Sequence, residues 1–191
     1  LPTYPFEKHR FWLASSQVQN MVDGSGMPST LPVSPVSDAR GHGPTIMLTG
    51  DEWFLRDHIV QGRKLVPGVV QLEWARAAAA VYFEKGLPVQ LEQVAWLRPL
   101  EVDGPVQVRI ALRPEQESRV HYAVYRKMEN GEEEIASQGY ALPMPDQDSR
   151  RLDLDGLLFG SEVLVEADDI YRRLSGFGLT YGQGLRSLGQ I

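Results

Sequence analysis

Asp57-His58-Ile59-Val60-Gln61-Gly62-Arg63-Lys64-Leu65-Val66-Pro67-Gly68 runs directly into Val69-Val70-Gln71-Leu72-Glu73-Trp74-Ala75-Arg76-Ala77-Ala78-Ala79-Ala80. An extended segment, a Pro-Gly break and a long apolar run follow one another with no linker between them. Pro67 and Gly68 stop the extended part and open a helix, predicted over about Val69 to Glu84, with Gly86-Leu87-Pro88 ending it. That helix is apolar on nearly every face, which predicts burial from several sides. Its N-terminus offers unpaired N–H groups and the positive end of the dipole, a setting that suits a carbonyl oxygen gaining negative charge. With His58 just ahead, a base and an oxyanion site could share one short turn, the chemistry of removing a proton next to a carbonyl. The residues alone leave a second reading of His58 open, a histidine satisfied by a backbone carbonyl at a turn.

Outward from this stretch, Thr45 to Phe54 reads as a strand on the N-terminal side. On the C-terminal side the strand candidates are Leu91–Leu97, Val106–Leu112, Arg119–Arg126 and Ile135–Leu142. Val106, Val108, Ile110 and Leu112 alternate with Gln107, Arg109 and Ala111, the period of a strand with one buried face. Asp103-Gly104-Pro105, Arg113-Pro114-Glu115 and Asn130-Gly131 supply the breaks, the last a hairpin signal. Pro143 to Asp153 is a polar connector, Ser161 to Ser175 a second helix, and the sequence finishes through Gly176-Phe177-Gly178-Leu179-Thr180-Tyr181-Gly182-Gln183-Gly184. One apolar helix followed by an antiparallel sheet long enough to wrap it is an α+β layout, a curled sheet around a central helix. The opening Leu1–Leu13 is aromatic-rich and Pro-punctuated, so it is expected to lie along a folded body. Residues 14–44, rich in Ser, Pro, Gly, Met and Val, read as a flexible linker.

With 191 residues the chain is long enough for a real core. Its net charge of −6 and scattered 19 basic residues argue against nucleic acid and anionic membrane surfaces as partners. The absence of cysteine excludes disulfides, thiolate catalysis and cysteine-ligated zinc, and fits a cytoplasmic location. No run is long enough to span a bilayer and the start lacks a signal-peptide pattern. Among the other histidines, His9 and His42 sit in linker and loop, and His121 occupies one face of an alternating strand. No His/Asp/Glu spacing resembles a metal site, and no Gly-x-Gly-x-x-Gly follows a strand.

His58-x-x-x-Gly62-x-x-x-x-Pro67 resembles the signature of the dehydratase domains of modular polyketide synthases, which have a double hot-dog fold. Leu1–Leu13 is similar to the linker that leaves the ketosynthase or acyltransferase region of these multienzymes. Leu48 to His58 resembles dehydratases of the type fed by free-standing acyltransferases. Ala136-Ser137-Gln138-Gly139 sits where the family closes its first hot dog, and Gly178-Leu179-Thr180-Tyr181-Gly182 matches the Gly-x-x-Tyr-Gly that opens the second. Gly41-His42-Gly43-Pro44-Thr45 stands where the family usually has His-Pro-Leu-Leu and a first strand. The resemblance divides the chain into a post-ketosynthase-type linker (1–13), a flexible linker (14–44), a first hot dog (45–143), a connector with a helix (144–175) and the start of a second hot dog (176–191).

The resemblance implies that His58 takes the α-proton of a 3-hydroxyacyl thioester while an aspartic acid of the second hot dog protonates the departing hydroxyl. No residue after Tyr181 in this sequence is an aspartic acid, so that acid is expected beyond Ile191; Asp168 and Asp169 do not fit its motif. By the same resemblance Gly62 allows close backbone approach, Pro67 and Gly68 aim helix N–H groups at the thioester carbonyl, and Tyr181 lies near the acyl pocket. The implied partners are an acyl carrier protein, whose phosphopantetheine arm holds the substrate, a neighbouring ketosynthase and a second copy of the chain; no metal or bound cofactor is implied. The alternatives are a dehydratase-like domain with another outcome (a double-bond isomerase, a pyran-forming cyclase or a branching-module domain) and a non-catalytic remnant that binds the carrier protein.

Overall fold

A computed structural model describes residues 43–83, 88–116, 118–144 and 165–188 of the chain. In chain order the elements are β1 (Thr45–Leu48), α1 (Trp53–Arg56), β2 (His58–Val60), β3 (Arg63–Lys64), α2 (Gly68–Phe83), β4 (Val89–Trp96), β5 (Val106–Gln116), β6 (Arg119–Lys127), β7 (Glu133–Pro143), α3 (Ala167–Gly176) and β8 (Leu179–Tyr181), then a 3-10 turn over Gln183–Leu185. β1, β5, β6, β7 and β4 form a five-stranded sheet in that order, and β3, β2 and β8 a three-stranded one. All pairings are antiparallel. The result is the expected α+β architecture, a hot-dog fold with its sheet against one long helix.

Alternation builds the main sheet. Val106, Val108 and Ile110 of β5 and Val120, Tyr122 and Val124 of β6 are buried, and they share a core with Trp74, Ala75, Ala78 and Ala79 of α2. Trp74 has no exposed surface and meets the Phe54 ring edge-on, centroids 6.2 Å apart. Truncation of a fully enclosed indole of this kind costs about 3–5 kcal/mol.

Three expectations change. The helix starts one residue earlier than expected and buries one stripe, Val70, Gln71, Trp74, Ala75, Ala78 and Ala79, against the sheet, while Val69, Val81 and Tyr82 are exposed. Burial is therefore from one side, not several. The strand expected over Thr45 to Phe54 ends at Leu48, because the Glu52 carboxylate reaches back to the amides of Thr49 (2.8 Å) and Gly50 (3.0 Å) and folds the chain into α1. β5 passes straight through Arg113-Pro114-Glu115, where a break was expected. β1 pairs only with Val106 to Arg109, so Pro114 lies where that edge of β5 is open, next to a register shift. An open edge and a bulge are where a residue without an N–H is tolerated.

β1 itself answers the question raised by Gly41 to Thr45: a first strand is present and forms one edge of the sheet. The Asn130-Gly131 turn joins β6 to β7. The second helix occupies Ala167–Gly176, within the expected Ser161–Ser175 apart from its last residue. The expected segment 1–13, all but the last two residues of the expected segment 14–44, and most of the connector lie outside the described residues.

Candidate active site

α1 is a single turn, yet Phe54 and Leu55 are fully buried and lock it to the core. Asp57 closes it, and β2 begins at once with His58. β2 turns back into β3 through Gln61 and Gly62, both at positive φ (49° and 79°) between the paired residues Val60 and Arg63. Two consecutive positive φ values define the tight hairpin turn whose second position favours glycine. No atom stands within 4 Å of where a Gly62 Cβ would be, so the turn, and not crowding within the chain, asks for glycine there.

The hairpin returns the chain so that the Leu65 carbonyl accepts a hydrogen bond from His58 Nδ1 at 2.9 Å. A carbonyl can only accept, so Nδ1 carries a proton, and in the neutral ring Nε2 then has the lone pair. This geometry is compatible with both readings of His58.

From Leu65 the chain is pinned by Val66 N–H to the Leu100 carbonyl (2.9 Å) and Val102 N–H to the Lys64 carbonyl (3.0 Å). Lys64 Nζ donates to the Gly50 carbonyl at 2.7 Å, and Arg63 pairs with Glu101 at 3.1 Å. Pro67 is buried behind this segment, and α2 starts at Gly68. The N–H groups of Val70 and Gln71 reach the Pro67 carbonyl (3.0 and 3.3 Å), whereas those of Gly68 and Val69 have no acceptor among the described residues. The Trp96 indole lies over Gly68: a Cβ there would stand 2.8 Å from Trp96 Nε1.

These parts enclose an open cavity of about 290 Å³ whose wall includes His58, Leu65, Gly68, Gln71, Trp96 and Arg98. It holds the His58 imidazole, and at its wall Gly68, whose amide has no acceptor among the described residues, opens a 16-residue helix. Among the described residues no carboxylate lines it. Asp168 and Asp169 sit on α3, beside Arg186 (4.0 Å) and Arg172 (2.5 Å) respectively. Among the described residues no three His, Asp or Glu side chains cluster as metal ligands would, and no helix is long and apolar enough to cross a membrane.

Tyr181 arrives by another route. β8 pairs with β2 in the register His58↔Tyr181, Ile59↔Thr180 and Val60↔Leu179. The Tyr181 ring lies 5.6 Å from the imidazole, centroid to centroid, and Tyr171 of α3 stands edge-on behind it at 6.2 Å. Of the residues singled out in the sequence, His58 and Gly68 share the cavity wall, and Tyr181 stands beside His58 without lining it. Pro67 lies behind the wall, and Gly62 is at the exposed hairpin tip.

Asp57 went unnoticed in the sequence. Its carbonyl accepts from Gly182 N–H at 2.8 Å and its carboxylate from Gly184 N–H at 2.6 Å. A Cβ on Gly182 would stand 2.1 Å from Asp57 Oδ1, so the two segments meet where Gly182 has no side chain. Asp57, next to His58, thus ties the Tyr181 turn to the start of β2. The sequence signal was faint: an acid next to the histidine, and glycines at 182 and 184. Gln71 and Trp96 were also missed, one hidden in an apolar helix and the other at the end of a strand.

Residues 34–127 match the family model described as "Polyketide synthase dehydratase domain". Among curated proteins, the chain is 32% identical over 210 residues to polyketide synthase PksN and 29% identical over 203 residues to polyketide synthase PksM, both of Bacillus subtilis. Each alignment covers the whole chain, which spans 4% and 5% of those relatives' lengths. Among solved structures, it is similar to a trans-AT PKS dehydratase domain from Brevibacillus brevis (TM-score 0.71, 28% identity, 81% of this chain and 60% of that one). The fold also matches the dehydratase domain from the CurF module of curacin polyketide synthase, with TM-score 0.71 and 20% identity over 77% of this chain and 54% of that one.

Proposed function

On the premise of the match between residues 34–127 and the polyketide synthase dehydratase model, we propose that the chain supplies the base half of a site that eliminates water from a 3-hydroxyacyl thioester. His58 Nε2 removes the α-proton. The C–H electrons form the new Cα=Cβ bond as the Cβ–O bond breaks, and the hydroxide leaves as water on taking a proton from an acid. Charge that builds on the thioester oxygen meets the unpaired N–H groups of Gly68 and Val69, at the positive end of α2. Gly62 shapes the hairpin that presents the base, Pro67 fixes where the helix begins, and Tyr181 borders the acyl pocket. The observation that carries this reading is the Nδ1-to-Leu65 hydrogen bond, which leaves Nε2 as acceptor in a cavity shared with a helix N-terminus.

The family resemblance implies that the acid comes from the second hot dog, which β8 opens, and among the described residues no carboxylate lines the cavity. The substrate is carried on the phosphopantetheine arm of an acyl carrier protein. The neighbouring ketosynthase and a second copy of the chain are the other partners, in a cytoplasmic multienzyme of the kind served by free-standing acyltransferases. The test is the full-length protein with carrier-bound 3-hydroxyacyl thioester, followed by mass for loss of water and by wash-in of solvent deuterium at the α-carbon. His58→Ala is expected to abolish both, a loss of about 10²–10⁴-fold for a general base. Unchanged turnover would remove His58 from the mechanism. The same cavity composition favours a second reading, migration of a double bond without loss of water, since that needs a single base. With a carrier-bound 2,3-enoyl thioester as substrate, a double-bond-shifted product that differs in mass only by the deuterium it has gained, together with no loss of water from the 3-hydroxyacyl substrate, would select it.

A further inference from the structure

Gln71 is the one polar side chain in the stripe that α2 buries, and it is 3% exposed. Its carbonyl oxygen Oε1 has no hydrogen-bond partner among the described residues, yet the residue lines the cavity that holds His58 and Gly68. A buried acceptor left unpaired is costly, and native interiors rarely keep one without a reason. The indole one turn along, Trp74, also has its Nε1–H unpaired, so the helix does not supply the missing donor itself. Long side chains on a helix lean toward its N-terminus. From the fourth position of α2, Gln71 therefore leans toward the two free amides of Gly68 and Val69.

We propose that Gln71 is a specificity-determining residue that accepts a hydrogen bond from a hydroxyl or amide N–H close to the thioester, other than the departing β-hydroxyl. The inference rests on the thioester reading of the cavity. The preferred ligand then carries a donor within reach of the thioester carbonyl, either a further hydroxyl on the first carbons of the acyl chain or the nearest amide of the carrier arm. A purely hydrocarbon acyl group on a plain thiol leaves Oε1 unpaired. A site built to pair a polar group discriminates against the analogue that lacks it much more strongly than an apolar pocket rejects an extra methylene.

The experiment compares wild type with Gln71→Leu and Gln71→Met in the full-length protein. Two 3-hydroxyacyl groups, one hydrocarbon and one with a further hydroxyl, are each presented on pantetheine and on ethanethiol, and kcat/KM is measured. Binding of the 3-deoxy counterparts, which cannot lose water, is measured alongside. Relative to the hydrocarbon ethanethiol ester, both variants should weaken donor-bearing ligands by about tenfold or more. Loss that follows the acyl hydroxyl identifies the chain as the source, and loss that follows the pantetheine identifies the arm. An equal effect on all four ligands, or none on any, overturns the proposal. Selective binding without turnover by wild type would overturn the dehydratase reading and leave Gln71 standing; turnover without selectivity would do the reverse.

Discussion

Replacing Asp57 by alanine removes the acceptor of one amide and leaves its neighbour's bond intact. The Asp57 carboxylate holds Gly184 N–H at 2.6 Å, whereas Gly182 N–H is held at 2.8 Å by the backbone carbonyl of the same residue. A hydrogen bond to a charged group contributes about 1.5–3 kcal/mol to the structure that contains it. Local opening at Gly184 should become easier by that amount, and since about 1.4 kcal/mol is tenfold at room temperature, its exchange protection should fall about 10- to 100-fold. Asp57→Asn keeps a neutral acceptor and should lose less, since neutral bonds contribute about 0.5–1.5 kcal/mol. The assay is hydrogen–deuterium exchange by mass spectrometry on the full-length protein, with fragmentation fine enough to separate Gly182 from Gly184. Loss at Gly184 alone means that the carboxylate acts locally. Joint loss means that the Tyr181 segment opens as one unit, and dehydration should then slow as well. Unchanged protection at Gly184 in Asp57→Ala would refute the reasoning.

Gly182→Ala should be more damaging to stability than Gly62→Ala, because its Cβ would lie 2.1 Å from Asp57 Oδ1 whereas that of Gly62 meets nothing within 4 Å. Overpacking of that kind costs about 1–3 kcal/mol, while a strained left-handed residue costs about 1–2; the Tm of the two variants reads the difference. Tyr122→Phe deletes a buried hydroxyl that has no partner among the described residues, so Tm should hold or rise. Burial pushes that phenol from 10.0 up to about 12, so wild type loses stability as pH climbs through this window and the phenylalanine variant does not. Burial would raise the Glu52 carboxyl, but the amides of Thr49, Glu52 and Gly50, with the Thr49 hydroxyl, outweigh it and hold the group below its ordinary 4.5. Wild type should therefore be more stable than Glu52→Gln at neutral pH, and the difference should vanish as acid protonates the folded carboxylate; thermal melts at two pH values read it.

Much of this was legible from periodicity. The Val106-Val108-Ile110 alternation fixed a strand face, and Pro67-Gly68 placed the start of α2 to within one residue. What escaped depends on side chains acting over short loops or long separations. Glu52 ends β1 through a carboxylate that leaves no mark on the hydrophobic pattern. Pro114 looked like a break, yet the strand tolerates it because β1 stops short of it, a fact of sheet topology. His58 was recognised, but its Nδ1 partner, the Leu65 carbonyl, is a backbone atom that no residue type announces. Gln71 was the most findable omission: a single polar residue on the stripe of Val70, Trp74, Ala75 and Ala78 is out of place in a core unless something meets it.

The Asp57–Gly184 bond closes 127 residues of chain. β5, β6 and β7 join through successive hairpins and can zip together as they leave the ribosome. The three-stranded sheet cannot: β2 must wait for β8, which is synthesised after every strand of the larger sheet. Non-local pairings are paid for in loop entropy before they return any stability. A nascent chain that had reached Pro143 could thus hold a formed core while His58 still lacked its neighbouring strand. By this order of synthesis the body can set first, and His58 gains its last neighbouring strand only when β8 is made.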